Sequence, residues 1–220
     1  MRSNIKVLIA IIFPVFLFGQ ELEKNESNVK DTTKVNMMYS PGNPESVAFN
    51  IGFFRPIGLG NSAMAEAYTY KNPGFEFTFN WFVQQHFTIG ASVDYFNGMV
   101  EDRSKVGEIS RTGVASLSAH LGYYKAITRE WYWHVLAGYG YVSYSSKSAE
   151  DRFLEEGNMI FLRNEIGHRF TKTLAVYGKI ELRNDFMDVI TSRELDNYFN
   201  SNLFLNLGIG LRINLQNPDG

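Results

Sequence analysis

The chain has 220 residues, with 21 Lys and Arg against 23 Asp and Glu, a formal charge of -2 that gives no electrostatic grip on nucleic acid. It contains no cysteine, which excludes disulfides, thiolate metal sites and a lipidated cysteine anchor. At 45% hydrophobic and 15% aromatic content, this length fits one domain, or one domain plus a tail.

Arg2 and Lys6 make a basic start, and residues 7–18, VLIAIIFPVFLF, form an apolar run of 12. A spanning helix needs about 20 residues, and Pro14 interrupts this one. The segment therefore reads as a signal peptide over 1–19, cleaved after Gly19, although Leu17 departs from the small-residue pattern at such sites. An uncleaved anchor is the alternative. Residues 20–45 are polar, mixed in charge and without period, and run into the breaker PGNP. They read as a flexible periplasmic leader.

From 46 to 215 the pattern is apolar/polar alternation throughout. Eight strands are predicted, at about 46–58, 74–84, 87–98, 108–126, 131–145, 158–170, 173–187 and 201–215, with 216–220 as a C-terminal tail. The connections near 59–73, 99–107, 146–157 and 188–200 are long and polar, while those at 84–86, 127–130 and 171–173 are very short. Long and short alternate strictly, as in an up-and-down barrel with all tight turns at one end. The predicted fold is all-β, an eight-stranded antiparallel up-and-down transmembrane β-barrel.

The two faces of the last strand differ sharply. Leu203, Leu205, Leu207, Ile209, Leu211, Ile213 and Leu215 share one face, and Phe204, Asn206, Gly208, Gly210, Arg212 and Asn214 share the other. An eight-stranded barrel has room inside only for side chains. The bulky apolar set is therefore expected outside, against lipid, and the polar, small-residue set inside. Trp81, Phe87, Trp131 and Phe170 lie beside the tight turns, where an aromatic girdle would sit, and Tyr95, Tyr139 and Phe186 would form the opposite girdle. A secreted lipocalin-like barrel, apolar inside, explains the alternation but neither the loop asymmetry nor the strand length.

The signal, the eight strands, the turn rhythm and the terminal LFLNLGIGLRINL resemble the small outer-membrane β-barrel families: OmpX, the OmpA transmembrane domain and the porin-family or PorT-like barrels. The likeness covers about 46–215 and is one of pattern. The chain departs from it in continuing past Leu215 with QNPDG instead of ending on an aromatic residue. The resemblance implies residence in the outer membrane and, for PorT-like barrels, membership of a secretion assembly.

If the polar face is interior, Glu76, Asp94, Arg163, Glu165, Lys179, Glu181, Arg183 and Arg212 form a lumen charge network, with Arg169 nearby. Buried ions must pair. Setting Phe170 against Leu174 brings Glu165 opposite Lys179 and Arg163 opposite Glu181, whereas a slip by two residues would set Arg163 against Lys179. The expected role is a structural plug, with an ion path or gate as the alternative.

Three sets of residues invite chemistry. Glu76 and Asp94 are expected to be cross-strand neighbours, able to share a proton or to serve as counter-ions for Arg183 or Arg163. His120 and His134 face the lumen, but two histidines without a third ligand read as hydrogen-bonded core residues, not a metal site. His168, in GHRFTKT, invites comparison with barrel enzymes that modify lipopolysaccharide acyl chains, yet no serine follows two residues later. The reading is thus a non-enzymatic barrel without metal or cofactor, serving membrane integrity, surface interaction or a larger assembly. A lipopolysaccharide-modifying enzyme and a narrow ion-conducting pore are the alternatives. Expected partners are outer-membrane lipid and lipopolysaccharide, met by the charged loops 99–108, 147–157 and 188–197, and other outer-membrane or secretion proteins.

Overall fold

A computed structural model of the chain describes residues 46–83, 86–148 and 151–215. The signal segment, the leader and the tail expected at 1–19, 20–45 and 216–220 lie outside the described residues.

Eight long strands form the wall: β1 (Val47–Leu59), β3 (Gly74–Phe82), β4 (Phe87–Val100), β5 (Arg111–Ala126), β6 (Trp131–Lys147), β7 (Arg152–Arg169), β8 (Leu174–Met187) and β9 (Ser201–Leu215). A two-residue strand, β2 (Tyr68–Thr69), pairs with the end of β4. The order around the wall is β4-β3-β1-β9-β8-β7-β6-β5, with β5 paired back to β4 and every pairing antiparallel. Closure runs along β1 and β9, from Val47↔Leu215 to Leu59↔Leu203. A closed cylinder leaves no edge, so every long strand is hydrogen-bonded on both sides.

Local chemistry sets the three tight turns. Val83 N–H donates to Phe87 O (3.0 Å), Ile127 N–H to Trp131 O (2.9 Å) and Phe170 N–H to Leu174 O (3.0 Å). Two of these turns share one device. The Thr128 hydroxyl accepts from the amides of Glu130 and Trp131, and the Thr171 hydroxyl from those of Thr173 and Leu174. A threonine hydroxyl that satisfies amides two and three residues on substitutes for the ladder where the chain reverses.

Strand limits differ from expectation mainly at the long-loop end. β5 starts at Arg111 instead of 108, and β7 starts at Arg152 instead of 158. The β6–β7 ladder continues through Ser143↔Glu156 and Ser145↔Leu154 to Lys147↔Arg152. Backbone pairing needs no apolar face, so this extension leaves no trace in the alternation. The long connections are also more structured than polar loops. They carry α1 (Ala63–Glu66), α2 (Arg103–Val106) and α3 (Asp196–Asn200). Ser62 caps α1 by accepting from Ala65 N–H at 3.3 Å. The connection 59–73 turns inward and buries Ala63, Met64, Ala67 and Tyr70.

The apolar side chains point outward along all eight strands, with Phe53, Trp81, Leu121, Ile180, Ile209 and Leu211 among the most exposed. The interior needs a correction. It is not filled by polar and small residues alone, since rings lie inside as well. At the loop end Phe54, Tyr70, Phe96, Tyr144, Phe161 and Phe204 pack with Met64, Leu136 and Met159. At the turn end Phe82, Tyr124, Tyr132 and Tyr177 pack over Ala48 and Ala175. Small residues opposite the rings make room for them. Tyr132 lies across from Gly167, and Phe161 across from Gly138.

These contacts predict opposite outcomes at two glycines. A Cβ on Gly167 would overlap the Tyr132 ring, whereas one on Gly178 would meet nothing nearer than Gly208 O at 4.0 Å. Gly167→Leu should cost about 1–3 kcal/mol or abolish folding, as expected for overpacking, whereas Gly178→Leu should be near neutral. Urea titration of the refolded variants, read by heat-modifiable gel mobility, checks both.

Candidate functional site

The densest polar chemistry lies mid-lumen. In a strand, every second residue faces inward. That periodicity delivers Glu76 from β3, Asp94 from β4, Arg163 and Glu165 from β7, Lys179, Glu181, Arg183 and Asp185 from β8, and Arg212 from β9, all nearly or fully buried. The β7–β8 register is the one the charges select, with Arg163↔Glu181 and Glu165↔Lys179.

Arg163 is the hub. Its Nε donates to Glu181 Oε2 at 2.6 Å, its Nη2 lies 3.2 Å from Glu76 Oε2, and its Nη1 donates to Thr78 at 3.1 Å. Glu76 also pairs with Lys179 and accepts from the Tyr177 hydroxyl at 2.9 Å. Glu181 accepts from Asn206 at 2.7 Å. A second group forms around Arg183, which binds Asp94 at 2.7 Å and Asp185 at 2.6 Å. Ser116 donates to Asp94 at 2.5 Å and Tyr144 to Asp185 at 2.8 Å. A third group, toward the turn end, joins Glu165, His134 and Arg212. His134 Nδ1 lies 3.7 Å from Glu165 Oε2 and 3.4 Å from Arg212 Nη1.

The two strongest groups cross the whole lumen. In the strand order, β7 lies four places from β3, and β8 lies four places from β4. Arg163 to Glu76 and Arg183 to Asp94 are therefore ties between diametrically opposite strands. Rings cover the cations: Arg163 faces Phe161 (5.2 Å), Arg183 faces Phe96 (5.6 Å), Lys179 faces Phe54 (4.5 Å) and Arg212 faces Tyr132 (4.8 Å).

The other candidates fall as follows. Glu76 and Asp94 are register partners, but each is bound to its own cation. His120 contacts Asn80 (3.0 Å) and His134 contacts Thr88 (2.9 Å). Among the described residues, no three His, Asp or Glu side chains are grouped to hold a metal. His168 stands on the outer wall at the turn end. It lies 3.4 Å from the exposed Glu130 and packs edge-on to Trp131 and Phe170. No hydroxyl nucleophile touches it among the described residues. Trp81, Phe87, Trp131 and Phe170, beside the turns, and Tyr95, Tyr139 and Phe186, farther along their strands, all point outward and are exposed. Asp185 was not singled out in the sequence, although it continues the inward series Lys179, Glu181, Arg183. In the loops, Ser104 holds the Asp102 carboxyl below its usual pKa, and a bond to Glu66 raises Lys105.

An apolar exterior around a closed, ion-filled lumen is a membrane-spanning arrangement, and known structures share the fold. Outer membrane protein OprG of Pseudomonas aeruginosa superposes with a TM-score of 0.54 at 9% identity, over 80% of this chain and 99% of that one. This is the fold of a small outer-membrane β-barrel. Neisserial surface protein A aligns with a TM-score of 0.50 at 9% identity, over 76% of this chain and 94% of its own. No family model matches the sequence, and neither does any curated protein. With its lipid-facing wall, this outer-membrane barrel belongs in the outer membrane.

Breaking the central pair from one side should be costly. Glu181→Leu leaves Arg163 without its closest carboxylate, an expected loss of about 3–5 kcal/mol. Glu181→Leu combined with Arg163→Met should recover much of it, since an apolar pair of similar size carries no unpaired charge. A double-mutant cycle of urea unfolding in lipid vesicles measures both.

Proposed function

We propose that the chain is a non-enzymatic, non-conducting outer-membrane scaffold whose working part is its loop end. The reading is one of surface interaction, or of membership in a larger outer-membrane or secretion assembly. The observation that carries it is the lumen. Ion ties from opposite strands meet at its centre, and an aromatic cluster packs on either side of them. A path for ions would have to part both ties and displace rings. In this reading the charge network is a structural plug. Outside, Trp81, Phe87, Trp131 and Phe170 serve as the periplasmic girdle, and Tyr95, Tyr139 and Phe186 as the outer one.

The wall supports lipid as a partner. Arg55 stands exposed on the outward face of β1, at the edge of a depression of about 610 Å³ floored by Gly178 and Gly208 and walled by Phe53, Ile180 and Ile209. A lipid phosphate, from phospholipid or lipopolysaccharide, fits the guanidinium, and an acyl chain fits the depression.

In planar bilayers the purified protein should give no discrete conductance steps. Stable unitary openings in the unmodified protein would refute the sealed-scaffold reading. Recovery of a defined partner after cross-linking of intact cells and mild detergent extraction tests the assembly role, and acyl-chain analysis of lipopolysaccharide incubated with the protein should show no change.

A further inference from the structure

The long-loop end holds a second concavity, separate from the charge network. It is a cavity of about 240 Å³ enclosed by the connection 59–73, the connection after α2, the segment before α3, and the upper parts of β5, β6, β7 and β9. Met64, Val106, Ile109, Val189 and Phe199 give it apolar walls. Into this setting one acceptor projects, and a second lies buried in the lining. Glu155, half-buried on β7, faces inward opposite Tyr144, and no cation reaches it within ion-pair distance among the described residues. Asn202 is 1% exposed, and among the described residues its Oδ1 accepts no hydrogen bond. Its Nδ2 donates to Phe199 O at 3.3 Å, which fixes which end of the amide is the acceptor. Beside them runs a chain of hydroxyls, Tyr68 to Thr112 at 2.9 Å and Thr112 to Ser146 at 2.8 Å.

The strand cations at this end are directed elsewhere. Arg111, Lys147 and Arg152 are register neighbours across β5, β6 and β7, and all three occupy outward, exposed positions. A carboxylate in a partly desolvated, apolar-walled space without a partner is costly, and so is a buried amide oxygen without a donor. The carboxylate is satisfied by a ligand carrying positive charge and N–H donors.

We propose that this cavity binds a small organic cation, a primary ammonium on a short apolar body. The ammonium has three N–H donors. It pairs with Glu155 and donates to a hydroxyl of the Tyr68–Thr112–Ser146 chain, while the apolar body lies against Met64, Ile109 and Phe199. A hard metal ion fits less well, since it calls for about six or more oxygen ligands and the walls here are largely apolar. A quaternary ammonium has no N–H to donate to the hydroxyl chain. The size of the cavity, below the usual range of about 300–1,000 Å³ for drug-sized ligands, limits the occupant to a small one.

The test uses the full-length barrel refolded in a non-ionic detergent and titrated calorimetrically with phenethylamine, 2-phenylethanol and phenylacetate. These probes share an apolar body and differ in charge. Phenethylamine should bind saturably, with the alcohol and the acid weaker by on the order of tenfold or more. Glu155→Gln should weaken phenethylamine by a similar factor and leave the alcohol unchanged, while Glu155→Asp retains part of the preference. Heat-modifiable mobility of each variant separates lost binding from lost folding. Equal affinity for amine and alcohol, no saturable amine binding at millimolar concentration, or unchanged amine affinity in folded Glu155→Gln would each overturn the proposal. None of these outcomes bears on whether the lumen conducts, so the site and the sealed scaffold stand or fall separately.

Discussion

Nearly all the charge of the spanning wall has one place to go in this molecule. The wall faces hydrocarbon on its outer side, where a charged side chain on the midplane costs about 2–4 kcal/mol. Apart from Arg55 on the outer face of β1, the ions of the spanning region are therefore inside, in a cylinder of eight strands with no room for a water-filled channel. There they must neutralise one another. Five carboxylates (Glu76, Asp94, Glu165, Glu181 and Asp185) and four cations (Arg163, Lys179, Arg183 and Arg212) are buried together, and the half-buried Arg169 at the turn end brings the two signs level. The best pairings reach across the lumen, so the network is also a brace. Sliding β7 or β8 along its neighbour by two residues would break the in-register pairs and the diametric ties at once. Register in a barrel is thus fixed twice, once by the alternation of the wall and once by charge through the middle.

Arginine suits the diametric ties better than lysine. Its planar group can meet several acceptors in one plane while stacking on a ring, and Arg163 and Arg183 do both. The interior rings then have a role that volume alone would not assign. They exclude water from the ion groups, which strengthens each pairing and raises the cost of breaking it. Lys179, whose point charge needs fewer fixed partners, sits at the side of the hub on Glu76 with its Nζ over Phe54.

What the sequence made legible follows from where physics is local. The period-2 pattern of β9, Leu203 through Leu215, is readable because lipid demands an unbroken apolar face. The tight turns are readable because the alternation breaks for only three or four residues at 84–86, 127–130 and 171–173 and then resumes. The β7–β8 register is readable because charges on consecutive inward positions permit only one alignment. Three features were not legible. The upper β6–β7 ladder has water on its outer face, so no hydrophobic pattern marks it. Phe54, Phe96 and Tyr132 are inward rings that composition assigns to lipid, and only their parity in the strand, read together with Gly74 and Gly167 opposite Phe54 and Tyr132, would have revealed them. The inward fold of 59–73 depends on Met64 and Tyr70 finding a cavity that exists only once the barrel has closed.

The two ends of the cylinder are consequently built for different purposes. At the turn end Phe82, Tyr124 and Tyr132 fill the cross-section, with Arg169 and Arg212 over their faces. Among the described residues these rings close that end, which is what a floor should look like. At the loop end α1 and Tyr70 enter the lumen and pack on Phe96 and Phe204, but they do not fill it. The space left above them is lined by side chains from four long strands as well as from the loops. A recess made partly from the wall inherits some of the rigidity of the wall, because Thr112 and Ser146 are ladder residues paired on both sides and Asn202 and Glu155 are each paired on one. Recognition groups mounted on paired strands keep their spacing without the entropic cost that ordering a free loop would carry. The ion brace below them therefore contributes to the loop end indirectly, by holding fixed the four strands on which those groups stand.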